Sequence, residues 1–168
     1  ADETYTAEEA LLQDFEPGTV TDPVDLPGGT YNLAVFPAGA DPSGDPAIEA
    51  TGVEVPAGAN LSVVAPLNAS GDPVLTAFAN DVDPVEAGQA RLVVRHTAAA
   101  PAVDILAGGE PVFSGLTNPN EDSADLPAGS VSAAVALAGT TDPVIGPADL
   151  DLKEGTSTIV YAYGSAED

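Results

Sequence analysis

One histidine and a large excess of carboxylates are the groups in this chain that could carry acid–base or metal chemistry. His96 is the sole imidazole, so a metal site built on two or more histidines of one chain is excluded. Cysteine is absent, which removes thiol nucleophiles, zinc–thiolate centres and disulfides. A Ser-His-carboxylate triad would have to use His96, yet no serine stands in a Gly-x-Ser-x-Gly elbow. The competing use of His96 is structural. It ends the apolar run Ala90-Arg91-Leu92-Val93-Val94-Arg95-His96, and Asp104 lies early on the next run. The two are expected to form a structural pair across neighbouring strands.

The carboxylates are too numerous to be diagnostic by themselves. Asp and Glu number 27 against 3 Lys and Arg, for a formal net charge of −24. A glycosidase needs two carboxyls at a set separation in a cleft, which spacing along a chain does not define. Calcium is the sharper reading, because hard oxygen donors gather in three loops: Asp41-Pro42-Ser43-Gly44-Asp45, Asn80-Asp81-Val82-Asp83 and Asn118-Pro119-Asn120-Glu121-Asp122. Asp41, Asp45, Asp81, Asp83 and Asp122 are therefore the metal candidates, although none of these loops follows the EF-hand pattern. Asp and Asn also favour turns for reasons of geometry alone, and acidic surface turns are the plainer reading. No catalytic residue and no resident cofactor is read from the chain.

The same charge restricts partners. Nucleic acid and anionic lipid are disfavoured by repulsion and by the shortage of cations, which are only Arg91, Arg95 and Lys153. No run of 18 apolar residues exists, so no membrane insertion is expected. Glycines sit in turns rather than in a phosphate loop. Four tyrosines and four phenylalanines leave few aromatics for a sugar platform once a core has been filled. Methionine is absent, which suggests a removed leader or an excised piece.

The elements that must position these groups are strands. Sixteen prolines and 17 glycines spread along 168 residues break helices of ordinary length but suit tight turns. The one helix expected is short, over residues 7–14, opened by a capping box from Thr6 to Glu9. An internal repeat organises the rest. Asp25-Leu26-Pro27-Gly28-Gly29-Thr30 answers Asp125-Leu126-Pro127-Ala128-Gly129-Ser130 at an offset of 100. After the turn Asp41–Gly44 the offset falls to 97, as Asp45-Pro46-Ala47-Ile48 answers Asp142-Pro143-Val144-Ile145 and Gly58 answers Gly155. Each block predicts a strand after the Leu-Pro-x-Gly turn (Tyr31–Val35, Val131–Leu137), a second ending near Val55 or Leu152, and a third at Leu61–Ala65 or Ile159–Ala162. Ala90–His96 and Pro101–Leu106 add two strands to the second block that the first lacks. Pro73–Phe78 closes the first and has no counterpart after Gly164.

The segment Ala90–His96, Pro101-Ala102-Val103-Asp104-Ile105 and Gly108-Gly109, with the later Pro-x-Gly turn and a Gly before a final apolar strand, resembles domain of unknown function 4397. Where that family carries Ser-Pro-Asp after its histidine, this chain has Thr97-Ala98-Ala99-Ala100. The resemblance implies Ig-like sandwich repeats of bacterial and archaeal exported proteins, often in tandem. The expected architecture is all-β: two tandem Ig-like antiparallel β-sandwich repeats, residues 1–88 and 89–168, the first lacking its N-terminal strands. The expected function is that of a non-catalytic structural or adhesion-type module, secreted or on the cell surface, whose partners are an unknown surface ligand or neighbouring repeats. The alternative is a carbohydrate- or calcium-binding accessory domain of an exported enzyme.

Overall fold

The computed structural model describes residues 10–166. Eleven strands and no helix are present in them: β1 (Gly29–Val35), β2 (Ile48–Val55), β3 (Leu61–Val64), β4 (Thr76–Ala79), β5 (Gln89–Ala99), β6 (Val103–Ala107), β7 (Glu110–Leu116), β8 (Glu121–Pro127), β9 (Gly129–Leu137), β10 (Pro143–Leu152) and β11 (Ser157–Ser165). The expected capping box, Thr6 to Glu9, lies outside the described residues. The rest of the expected helix, Ala10–Asp14, forms bends and coil. A single turn leading to Pro17-Gly18 has too few hydrogen bonds to offset the cost of nucleation.

The chain divides into two compact units. The first comprises the residues up to Ala65 together with Pro73–Asn80; the second comprises Pro66–Asp72 and the chain from Asp81 onward. Residues 81–88, which the expected boundary at residue 88 assigns to the first repeat, thus group with the second unit.

The first unit holds two antiparallel pairs, β1-β2 and β3-β4. Turn chemistry sets their ends. Gly28 sits so close to Ala57 that a Cβ there would lie 2.9 Å from the Ala57 backbone nitrogen, and glycine is the residue that permits such an approach. Beyond the strand, the Pro37 carbonyl accepts from the Ala40 N–H at 2.9 Å and closes the next turn.

The second unit is a sandwich-like all-β body. One sheet has the order β10-β9-β6-β7, the other β11-β5-β8. Both contribute to one core: Ala90, Leu92 and Val94 of β5 pack with Val103 and Ile105 of β6, Phe113 and Leu116 of β7, and Leu152 of β10. The period-two alternation of β5 puts its even-numbered apolar residues inside, and Leu92 is 1% exposed. One pairing departs from the antiparallel expectation: β11 runs parallel to β5, Ser157 opposite Arg91 through Ser165 opposite Ala99.

The strands expected from the internal repeat occur where the motifs place them, and their registers match. Gly29, Thr30 and Tyr31 face Val55, Glu54 and Val53; under the two offsets these become Gly129, Ser130 and Val131 facing Leu152, Asp151 and Leu150, the pairs formed by β9 and β10. Val35 faces Ile48 and, correspondingly, Val135 faces Ile145. Each ladder absorbs an irregularity on the way, between Tyr31 and Leu33 in one, and around Ile145 in the other.

Candidate functional site

The polar chemistry of the second unit is concentrated on β5 and on the residues it meets. Two of the three cations, Arg91 and Arg95, stand four residues apart on this strand, so both side chains lie on the face opposite Leu92 and Val94. Register with β8 then sets Arg91 directly across from Asp125 and Arg95 across from Glu121, the arrangement in which opposite charges on neighbouring strands stabilise each other. Arg91 is held bidentately, Nε to Asp125 Oδ1 at 2.8 Å and Nη2 to Oδ2 at 3.1 Å, and its Nη1 donates to Asp81 Oδ2 at 2.5 Å. This bonding keeps the Asp125 carboxyl below its ordinary range and the Arg91 guanidinium above its own.

Arg95 is 1% exposed. Its Nε donates to Glu121 Oε2 at 2.6 Å, its Nη1 donates to the Tyr161 hydroxyl at 2.7 Å, and the guanidinium carbon lies 5.4 Å from the centre of the Tyr161 ring. A cation so deeply buried is costly unless paired, and here β8 and β11, the two neighbours of β5, each supply one polar contact. Sequence reasoning passed over this cluster. Its signal was present in the scarcity of cations and in the placement of two of them four residues apart, with only the apolar Leu92, Val93 and Val94 between them.

The structural pair expected between His96 and Asp104 is corrected. β5 and β6 belong to different sheets, so the two residues are not cross-strand neighbours and each finds its own partners. His96, 1% exposed, places Nε2 3.0 Å from the Pro101 carbonyl and accepts at Nδ1 from the Ala98 N–H at 3.4 Å. Through these two backbone partners the ring pins the start of the β5–β6 connection. Asp104 accepts from the Gly115 N–H at 2.7 Å and from the Gly139 N–H at 2.8 Å. These two backbone donors hold its carboxyl below the ordinary range, Gly139 contributing most, and join β6 to β7 and to the turn after β9.

The calcium candidates are not brought together. Asp41 accepts from the Ser43 N–H at 2.9 Å and the Ser43 hydroxyl at 2.7 Å, an Asx turn that lowers its pKa through those same bonds. Asp45 lies at the far end of that loop. Asp81 bonds Arg91 and also accepts from the Asp83 N–H at 2.9 Å, while the Asp83 carbonyl faces Arg91 Nη1 at 3.4 Å. Asp122 accepts from the Ser123 N–H at 2.9 Å. Among the described residues no cluster of three or more His, Cys, Asp or Glu could hold a metal ion.

Concave surface lies elsewhere. One depression is lined by Ala107, Leu126, Val131 and Leu152 around the Pro127–Ser130 turn, with no titratable side chain. Another is formed by Leu12, Phe15, Thr19 and Thr21 with Asp14 and Glu16. Neither includes His96. Among the described residues no helix is long and apolar enough to cross a membrane.

A protein-family model described as "Domain of unknown function (DUF4397)" matches residues 2–106, which is more than half of the chain. No curated protein and no solved structure matches it.

Proposed function

We propose that this chain, which belongs to the DUF4397 family, is a non-catalytic module of structural or adhesion type, built of two tandem Ig-like repeats and displayed outside the cell. The observation that carries the reading is the use to which the chain puts its chemically capable groups. His96 is buried with both ring nitrogens on backbone partners. Arg91, Arg95 and Asp104 tie strands and turns of the second unit to one another. Groups bound in this way stabilise a scaffold and are poorly placed to meet a substrate. The acidic coat of −24 adds solubility and keeps nucleic acid and anionic lipid away.

The test is display of the protein in cells that produce it, combined with a search for a ligand. Antibody labelling or protease shaving of intact cells should reach the chain, and the immobilised protein should retain an extracellular polymer or surface protein with no turnover of it. Exclusive recovery from the cytoplasm would overturn the assignment of place. A hydrolytic activity lost in a folded His96→Ala variant would overturn the assignment of role.

A further inference from the structure

Among the described residues β11 pairs on one side only, with β5, and hydrogen bonds at its two ends set which side that is. The Arg91 N–H donates to the Thr156 carbonyl at 2.9 Å, and the Ala166 N–H donates to the Ala99 carbonyl at 3.2 Å. Both bonds put even-numbered residues of this stretch toward β5. Successive strand residues turn their N–H and C=O groups to opposite sides. Thr158, Val160 and Ala162 therefore bond toward β5, and Ser157, Ile159, Tyr161 and Tyr163 turn their backbones to the outer side of β11, the end strand of its sheet.

The equivalent strand of the first unit shows what that side can hold. On β3 the Asn60 carbonyl accepts from the Asn80 N–H at 2.8 Å, so Asn60, Ser62 and Val64 bond toward β4. The offset of 97 turns these residues into Ser157, Ile159 and Tyr161. The side of β3 occupied by β4 is thus the side that β5 leaves open on β11. Charge agrees with geometry. β11 has no Asp, Glu, Lys or Arg, whereas the edge strands β8 and β10 carry Glu121, Asp122, Asp125, Asp149 and Asp151. Charged residues are what usually blunts an exposed edge. Pro73–Ala79, the segment containing β4, is uncharged as well.

We propose that the outer edge of β11, from Ser157 to Tyr163, accepts one antiparallel strand of the β4 type, supplied by another polypeptide segment. The register of β3 with β4 carries over, placing Ile159 opposite the position of Phe78 and Tyr161 opposite that of Thr76. Backbone hydrogen bonds hold the strand, and its alternating apolar side chains set the register. This proposal is independent of the adhesive reading, since it concerns an edge and not a ligand of the cell surface.

The probe is a synthetic peptide with the sequence of residues 71–81, titrated into the full chain and followed by amide NMR and hydrogen exchange. The expected result is saturable shifts at Ser157–Tyr163, with exchange of the Ile159 and Tyr161 amides slowed about tenfold or more. A peptide carrying Phe78→Pro, which lacks a bonding N–H at the central pair, should not bind. Ile159→Pro in the protein should abolish binding and leave the β5 ladder intact, because its N–H points outward. If that variant does not fold, the altered peptide makes the same test from the other partner. Four results would each overturn the proposal: no shift on β11 at millimolar peptide, shifts on Leu61–Val64 through exchange with the chain's own β4, equal binding of the Phe78→Pro peptide, or concentration-dependent pairing of β11 with β11 in its absence.

Discussion

Removing Glu121 should damage the protein more than removing Arg95, although the two belong to one ion pair. Arg95 is 1% exposed and its Nε lies 2.6 Å from Glu121 Oε2, while the Glu121 side chain is 34% exposed. In Glu121→Ala the guanidinium stays buried without its carboxylate. Stripping a fully buried charge of its counter-ion costs about 3–5 kcal/mol, and the partial exposure of the pair brings the expected loss below that range, to about 2–3 kcal/mol. In Arg95→Met the stem volume is retained, the cation is gone, and Glu121 turns to water. That exchange should cost about 1–1.5 kcal/mol, chiefly through repacking and the lost bond to Tyr161. The double variant should resemble Arg95→Met, since there is no longer a cation to leave unpaired. Urea unfolding of the four proteins, followed by tyrosine signals and far-UV circular dichroism, gives the midpoints and slopes. The reasoning fails if Arg95→Met is as destabilising as Glu121→Ala, or if the double variant shows the sum of the two losses.

Four further outcomes are expected. Asp104→Asn should lower stability at neutral pH, because an amide can accept from only one of the Gly115 and Gly139 N–H groups. The folded pKa of Asp104 is depressed, so its contribution is full above the unfolded value of about 3.9. The gap to wild type should therefore close as pH falls below about 4, and a gap unchanged at pH 2 would refute the linkage. Gly28→Ala should destabilise the first unit by about 1–3 kcal/mol in thermal or urea melts, since the new Cβ meets the Ala57 backbone at 2.9 Å. The melting temperature should rise between dilute buffer and moderate sodium chloride as the −24 charge is screened; a flat profile would remove repulsion as a limit, and a much larger rise with calcium at equal ionic strength would revive a metal site. Amides of β1–β4 should exchange faster than those of β5 and β6, because among the described residues the buried hydrophobic ones other than Phe78 all belong to the second unit; equal protection in both units would contradict this.

Strand positions were legible because turns are local. Leu126-Pro127-Ala128-Gly129 and Lys153-Glu154-Gly155 announce where β9 and β11 begin, and the repeated motif fixes the register of β9 with β10 as it does that of β1 with β2. Sheet membership was not legible. Ala98 to Ala102 looks like a connection between neighbouring strands, yet it carries the chain from one sheet to the other, and the parallel partner of β5 comes from β11, more than sixty residues away. His96 and Asp104 were misjoined for that reason. Their partners are backbone groups, and a backbone group leaves no mark in the residue code.

The two units also explain why one motif set yields unequal burial. In the second unit β6 lies against the β9 side of the β9–β10 pair, and β5 lies against β11. One pair of consecutive strands thus extends both sheets, and β7 and β8 widen them further. The core of Leu92, Val94, Ile105, Phe113 and Leu152 is assembled largely from that addition, not from the repeated strands themselves. In the first unit the repeated strands β1 and β2 form one pair and β3 pairs with the unrepeated β4, and Val63 of β3 is 46% exposed where its counterpart Val160 packs against the core. Two-stranded ribbons bury too little to be stable alone. The stability of each repeat is therefore set by the strands that join it, which makes an open strand edge a place where a partner adds order.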